Sequence, residues 1–238
     1  MEESFISHLV ELRNRLVRAV LAVALVFFSI VWWAQDLYAL LAQPLLAALP
    51  SGGQMIATDV VGPVLVPIKL AAWTSLLIAM PYVLYQAWAF VAPGLYAHEK
   101  RFVLPLLVAS CLLFVAGMAF AYWVFFPNMF LVMNSYTPEG VAWMTDIDKY
   151  MGFVMGMFLA FGAAFEVPVV VLLLVTMQIA TVAQLAEWRR YILVAIFIVA
   201  AVVTPPDVVS QLMLALPMCL LYEIGLLLGR LVERRRAV

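Results

Sequence analysis

Long apolar runs are the feature that most restricts what this chain can form. They lie at about 16–34, 69–90, 102–125 and 150–176, and two shorter ones lie at 190–204 and 209–228. A helix of about 20 apolar residues crosses the roughly 30 Å hydrocarbon core of a bilayer. Because 67% of the residues are hydrophobic and only 11% are charged, an ordinary soluble domain is excluded. The sequence predicts one all-α membrane domain over residues 1–238 with six transmembrane helices.

The basic residues predict the orientation of these helices. Eleven of the 13 lysines and arginines fall before the first span, between the second and third, between the fourth and fifth, or after the sixth: Arg13, Arg15, Arg18, Lys100, Arg101, Arg189, Arg190, Arg230, Arg234, Arg235 and Arg236. Only Lys69 and Lys149 fall on the other side. Since cytoplasmic loops are enriched in lysine and arginine, both termini are predicted to be cytoplasmic.

The predicted outer segments, from Gln35 to Ile68 and from Phe126 to Lys149, are too long to be simple turns. The first contains DLYALLAQPLLAAL, whose spacing predicts a short amphipathic helix at the membrane interface. In the second, Thr145 and Asp148 have the spacing of a capping box that would begin the fourth span.

The last two spans are predicted to be short. The fifth, from 190 to 204, has about 15 residues and a length of roughly 22 Å, which is less than the bilayer core. The sixth contains Pro217, which should bend it because proline removes a helix hydrogen bond. We expect local bilayer thinning beside these two helices.

Glu166 is a carboxylate within the fourth span, where a charge costs about 2.5 kcal/mol or more. Pro168 follows two residues later and should kink the helix at the acid. The residues leave two interpretations open: a neutral acid bonded to a neighbouring helix, or a polar position on the path of a substrate or partner. Gln211 and Thr204, which flank the Pro205-Pro206-Asp207 turn, are expected to expose hydrogen-bonding groups close to lipid, where they could bind a helix of another protein.

Other pairs have a structural interpretation by default. In the N-terminal segment, an apolar helix face is predicted for Phe5, Leu9, Leu12 and Leu16, and a second face, open to solvent or a partner, for Glu11, Arg15 and Arg18. Glu223 is expected near the inner headgroups or paired with Arg230. Gly152 and Gly156 are expected to serve internal helix packing.

No motif in the sequence indicates an enzyme, a cofactor or a metal site. HExxH, GxSxG and phosphate-binding loops are absent. No basic patch is interleaved with aromatic residues, so nucleic acid is not expected as a partner. Cys111 and Cys219 lie within apolar runs and are expected to be small buried hydrophobic residues.

Several segments together resemble one family. SHLVELRNRL, MIATDV, the run from WAFVAPGLY to HEKR, FGAAFEVPVV and TPPDVVSQ occur in this order along the chain. They are similar to TatC, the membrane receptor of the twin-arginine protein translocase, and most similar to its proteobacterial form. The resemblance extends from about Ser7 to Arg230.

The resemblance implies a glove-shaped bundle of six helices in the bacterial inner membrane, with a concave face and an outer cap. Such a receptor recognises signal peptides that carry two consecutive arginines and helps to export folded proteins. It works with the single-span proteins TatA and TatB, uses the proton motive force, and is expected to be homo-oligomeric in the receptor complex.

Matched by position, the resemblance implies a signal-peptide site at Glu11 and Glu99, with Phe90, Pro93 and Leu95 around it. The two arginines of such a peptide can each donate a pair of hydrogen bonds to a carboxylate. Lysines in their place could not make this paired contact. Pro44, Glu166 and Asp207 also match motif positions. The resemblance further implies that TatA or TatB helices dock against the fifth and sixth spans, with Gln211 and Thr204 as polar contacts.

Other interpretations remain beside this one. Glu11 could simply pair with Arg15, and Glu99 with Lys100 or Arg101. A proton-coupled small-molecule transporter using Glu166 would be expected to contain repeated halves with broken helices, and the sequence has no such repeat. A structural assembly factor without a recognition site is a third interpretation.

Overall fold

The computed structural model describes residues 2–48, 55–91, 103–137 and 144–236, which are almost entirely helical. In chain order the elements are α1 (Glu2–Ile30), a 3-10 turn (Val31–Trp33), α2 (Ala34–Ala48), β1 (Met55–Ile56), α3 (Gly62–Val91), α4 (Val103–Phe120), a π-helical turn (Ala121–Phe125), α5 (Phe126–Ser135), β2 (Thr145–Asp146), α6 (Ile147–Phe165), α7 (Val167–Thr176), α8 (Val182–Glu187), α9 (Arg189–Val203) and α10 (Val208–Arg236).

Five helical segments within the described residues are long and apolar enough to cross a membrane: Ser7–Ala47, Gly62–Phe90, Leu104–Ser135, Ile147–Thr176 and Val208–Arg234. The apolar helix α9 has only 15 residues, or about 22 Å of helix, which confirms the short fifth helix. The expectation that the sixth is also short is wrong. Helix α10 has 29 residues, because it continues through Pro217 and into the basic segment beyond the apolar run.

The predicted outer segments contain more helix than loop. The expected amphipathic helix is α2, whose inner face buries Leu41, Ala42 and Leu45 in the core. The sequence predicts a loop from Phe126 to Lys149, but the first ten residues of that segment form α5. Pro127 lies in the first turn of α5, directly after the π-helical turn, and it cannot donate the backbone hydrogen bond of an ordinary helix residue.

Helices α4 and α6 cross at close range. A Cβ added to Gly117 would overlap the carbonyl oxygen of Phe161 and lie 2.8 Å from its carbonyl carbon, and one added to Gly162 would lie 2.6 Å from the ring of Phe114. Both glycines therefore allow the helices to approach more closely than any side chain would. Gly152 and Gly156 have nothing within 4 Å of an added Cβ, so the prediction that they serve internal packing is wrong.

The two outer segments are joined by a parallel pair of short strands, with Met55 opposite Thr145 and Ile56 opposite Asp146. Asp146, and not the predicted Thr145, is the N-cap of α6, and its side chain accepts hydrogen bonds from the backbone amides of Asp148 and Lys149. A single carboxylate oxygen, Oδ1, accepts both of these bonds, over 3.0 and 3.1 Å, as expected of an aspartate N-cap. The hydroxyl of Thr145 is buried without a hydrogen-bond partner among the described residues.

An ion pair joins the start of α9 to the later part of α10. Arg189 Nη2 donates to Glu223 Oε2 over 2.9 Å, and Arg189 Nε lies 2.6 Å from Glu223 Oε1. The prediction that Glu223 pairs with Arg230 is therefore wrong. Because α9 and α10 are antiparallel neighbours, the first turn of one lies beside the later turns of the other, a relationship that spacing along a single helix does not show.

Candidate functional site

Glu11 lies on the first helix where α1 packs against the end of α3. The guanidinium of Arg15, one turn further on, donates from Nε to Glu11 Oε1 over 2.9 Å and from Nη2 to the same oxygen over 2.5 Å. Arg15 Nη1 also lies 3.5 Å from Oε1 of Gln86 on α3. The local pair that the spacing allowed is thus formed, and it is anchored to a second helix.

The two predicted faces of this helix differ in their surroundings. Leu9, Leu12 and Leu16 are between 45% and 62% exposed, while Glu11 and Arg15 are half-buried against α3. A helix in a membrane can direct leucines to lipid and hold polar groups against protein, as Glu11 and Arg15 are held here, while Arg18 on the same predicted face is exposed.

Phe90 closes this contact on the α3 side. Its ring stacks on that of His8, with the centroids 4.3 Å apart and the planes at 25°. His8 precedes Glu11 by three residues, so the stack and the carboxylate share one side of α1. His8 and Gln86 are members of this site that the sequence did not identify, although the spacing of His8, Glu11 and Arg15 is helical. Glu99, Pro93 and Leu95 lie outside the described residues.

Glu11 keeps one carboxylate oxygen uncommitted. Both hydrogen bonds from Arg15 end on Oε1, and Oε2 accepts none from the part of the chain that the structure describes. The side chain of Glu11 is 35% exposed, which leaves room for a further cation to approach. This arrangement can bind a guanidinium or ammonium group at the end of the bundle.

Glu166 lies at a break between two helices, as Pro168 predicts. Helix α6 ends at Phe165 and α7 begins at Val167, with Glu166 as the residue between them. The hydroxyl of Ser110 on α4 donates to Glu166 Oε2 over 2.7 Å. Oε1 is buried and has no partner among the described residues. Ser110 was not predicted, because nothing in the sequence indicates which turn of α4 lies opposite the acid.

The polar residues of the last two helices are held within the protein. Thr204 is buried and its hydroxyl donates to the carbonyl of Ala200 over 2.8 Å, so the expectation that it exposes a polar group to lipid is wrong. Gln211 Nε2 donates to the carbonyl of Phe197 over 3.1 Å. Its half-buried side chain lines a groove on α9 that measures about 380 Å³.

Asp207 and Pro44 have structural positions. Asp207 Oδ1 accepts from the backbone amide of Ser210 over 2.8 Å and so caps the start of α10. Pro44 lies inside α2 and cannot donate to the carbonyl of Leu40 four residues earlier. That carbonyl instead accepts the hydroxyl of Tyr122 over 3.1 Å.

Comparison with known proteins identifies the family. The sequence profile described as "TatC: Sec-independent protein translocase protein (TatC)" matches residues 7–217. The Sec-independent protein translocase protein TatC of Azotobacter chroococcum is 55% identical over 97% of this chain and 90% of its own length. The protein of the same name in Escherichia coli K12 is 50% identical over 96% of this chain and 88% of its own length.

A solved structure, the "Crystal Structure of Twin Arginine Translocase Receptor- TatC", superposes with a TM-score of 0.80 at 37% identity, covering 94% of this chain and 98% of the other. A second solved structure, of the receptor in DDM, gives a TM-score of 0.80 at 36% identity, covering 93% of this chain and 99% of the other. Sequence and fold therefore agree over nearly the whole length, and this chain belongs to the TatC family of Sec-independent protein translocase proteins.

Proposed function

We propose that this chain is the signal-peptide receptor of a twin-arginine translocase in the bacterial inner membrane, where it helps to export folded proteins with the proton motive force. The observation that carries the proposal is the similarity, over nearly the full length, to a solved twin-arginine translocase receptor. The half-buried carboxylate of Glu11 supports it, because one oxygen remains available for an incoming cation.

In this proposal, one arginine of the peptide binds Glu11 at Oε2, opposite the oxygen that Arg15 occupies. Each charge-assisted hydrogen bond would contribute about 1.5 to 3 kcal/mol where water is partly excluded. The stacked rings of His8 and Phe90 offer an apolar surface next to the carboxylate. Glu99 would bind the second arginine, with Pro93 and Leu95 shaping the loop that carries it.

Charge reversal tests the site. Glu99→Lys, and less strongly Glu11→Lys, should abolish export of a twin-arginine substrate and binding of a synthetic twin-arginine peptide, while a twin-lysine peptide should bind poorly throughout. Glu187→Lys is the matched control, since it makes the same charge change at the exposed end of α8 and should leave export intact. Normal export with both Glu11 and Glu99 reversed in a stably inserted protein would contradict the proposal.

We also propose that the single-span proteins TatA and TatB dock on the face formed by α9 and α10. The supporting feature is an apolar groove with one amide in it, lined by Leu193, Val194, Phe197, Ile198, Ala201 and Gln211. The amide nitrogen of Gln211 is bonded within the chain, and its oxygen accepts no hydrogen bond from the described residues. A partner helix with a polar donor could therefore bind it, which is how polar groups join helices in membranes.

Cysteine crosslinking in native membranes tests this docking face. In a background with Cys111 and Cys219 replaced by alanine, Val194→Cys and Ile198→Cys, both exposed in the groove, should form disulfides with cysteines placed along a TatA or TatB helix. Ile196→Cys is the control, because Ile196 is only 4% exposed and faces the core. Equal crosslinking at all three positions, or none at Val194 and Ile198, would contradict the docking.

The orientation and the number of crossings belong to the same proposal. With α9 as a short fifth crossing, the chain spans the membrane six times, and both termini are cytoplasmic. Family membership favours protein translocation over a proton-coupled small-molecule transporter built on Glu166. In this proposal, Glu166 is a polar residue on the surface that contacts the transported protein or a partner. The receptor complex contains more than one copy of the chain.

A further inference from the structure

Three side chains from three parts of the bundle form a line of hydrogen bonds that ends on the acid within the membrane. Trp88 Nε1 on α3 lies 3.5 Å from Ser110 Oγ on α4, and Ser110 Oγ lies 2.7 Å from Glu166 Oε2. Ser110 has no exposed surface. The hydrogen-bonded series therefore lies within the protein, and Ser110 at its centre is shielded from solvent.

The chemistry of tryptophan sets the direction of this line. The indole N–H can only donate a hydrogen bond, so Ser110 Oγ is the acceptor in its contact with Trp88. A serine hydroxyl has a single hydrogen, and Ser110 donates it to Glu166 Oε2. Oε2 of the acid is consequently an acceptor.

The two oxygens of Glu166 then differ in kind. Oε2 is occupied by a short hydrogen bond from a fully buried hydroxyl. Oε1 is buried and unpartnered among the described residues, and if the acid is neutral its proton belongs on Oε1. A buried polar atom without a partner is unfavourable, so Oε1 is the position at which this acid can gain a hydrogen bond.

We propose that Ser110, oriented by Trp88, is the positioning residue for Glu166. It holds the carboxyl group in one rotation and leaves Oε1 as the one oxygen open to a hydrogen-bonding group brought to this face during transport. The inference rests on the transport role proposed above for Glu166. It adds Ser110, which lies outside the quoted family-like segments, gives a role to Trp88, and assigns a different task to each oxygen of the acid.

Isotope-edited infrared spectroscopy of the full-length protein in lipid vesicles tests the inference directly. With ¹³C-carboxyl glutamate, the difference between the parent protein and Glu166→Gln isolates the band of Glu166. In Ser110→Ala this band should move to higher wavenumber, because the lost hydrogen bond no longer lengthens the bond to Oε2. Trp88→Phe should give a smaller shift in the same direction, and Ser110→Thr, which keeps the hydroxyl, should restore the parent position.

Ser75→Ala is the matched control. Ser75 is also a fully buried serine, but its hydroxyl donates to the carbonyl of Ala71 in its own helix. Its replacement should leave the Glu166 band unmoved. A Glu166 band that does not shift in Ser110→Ala, or that shifts equally in Ser75→Ala, overturns the positioning role.

Measuring export of a twin-arginine substrate in the same variants separates this inference from the proposed function. A shifted band together with a loss of export supports both. A shifted band with normal export keeps the positioning role and contradicts the transport role of Glu166. A loss of export without a shift in the band overturns the positioning role and indicates that Ser110→Ala acts by another route.

Discussion

The hydroxyl of Tyr122 donates a hydrogen bond over 3.1 Å to the carbonyl of Leu40. This is the carbonyl that Pro44 leaves without a helix partner, because proline has no N–H. Tyr122 reaches it from the π-helical turn Ala121–Phe125, where the widened backbone changes the direction in which side chains project. The carbonyl left unpaired by the proline of α2 thus receives its hydrogen bond from a side chain on the π-helical turn.

This relationship predicts a non-additive pair of substitutions. Tyr122→Phe should lower the free energy of unfolding by about 1 kcal/mol, the net value of a typical hydrogen bond. In a Pro44→Ala background the same change should cost much less, because the backbone amide gained with the alanine can donate to the Leu40 carbonyl within the helix. The measurement is a double-mutant cycle of thermal or denaturant unfolding in detergent. Equal costs in both backgrounds would contradict the argument.

The crossing of α4 and α6 predicts that Gly117→Ala is destabilising. The new methyl group would overlap the carbonyl oxygen of Phe161, and backbone cannot move aside as a flexible side chain can. We expect a loss of about 1 to 3 kcal/mol, as for other overpacked sites, read out as a lower melting temperature of the purified protein.

Gly152→Ala is the control for that substitution, since an added Cβ there meets nothing within 4 Å. It should be neutral or stabilising by up to about 1 kcal/mol, because alanine favours the helix. If both alanine variants lower the melting temperature equally, the loss arises from something other than the close contact at Gly117.

Asp146 predicts a pH-dependent link between the outer segments. A hydrogen bond from the hydroxyl of Thr58, together with bonds from the backbone amides of Lys149, Thr58 and Asp148, lowers the pKa of Asp146 from 3.8 to about 2. Because the folded pKa lies below the unfolded one, the stabilisation is complete above about pH 4 and is lost as the pH falls towards 2. The difference in melting temperature between the parent protein and Asp146→Asn should therefore shrink over that interval.

Asp59→Asn provides the comparison for Asp146. Asp59 follows Thr58 directly and is exposed, and its side chain accepts no hydrogen bond within the described residues. The melting temperature of this variant should follow that of the parent protein from pH 7 to pH 2. A constant difference between Asp146→Asn and the parent across pH 4 to 2 would show that the carboxylate is not responsible.

The sequence predicts features that depend on one helix and misses those that depend on two. The break at Glu166 and the short α9 follow from Pro168 and from the length of an apolar run, and both are confirmed. The partner of Glu223, the exposed position of Gly152 and the hydroxyl on Glu166 depend on which turns of neighbouring helices meet. The pattern of apolar residues in a membrane protein says little about which helix turns are in contact, because both lipid and the protein interior favour apolar side chains.

The N-terminal site shows the same limit. Family resemblance implies a role for Glu11, and its pairing with Arg15 follows from helical spacing. The contact with Gln86 does not, because it joins residues 71 positions apart. The spacing predicts the two faces of α1, but it does not show that Glu11 and Arg15 lie against α3. In a bilayer, the polar side of a helix is the better guide to its packing, since polar side chains there face the protein and not the lipid.

The two tyrosine contacts on α2 also bear on how the chain is made. The carbonyls of Leu40 and Leu41 accept hydroxyls from Tyr122 and Tyr150, which follow them by 82 and 109 residues. During synthesis these tyrosines leave the ribosome after the residues of α2. The two bonds that hold α2 against the rest of the bundle therefore cannot both form until the start of α6 has been made.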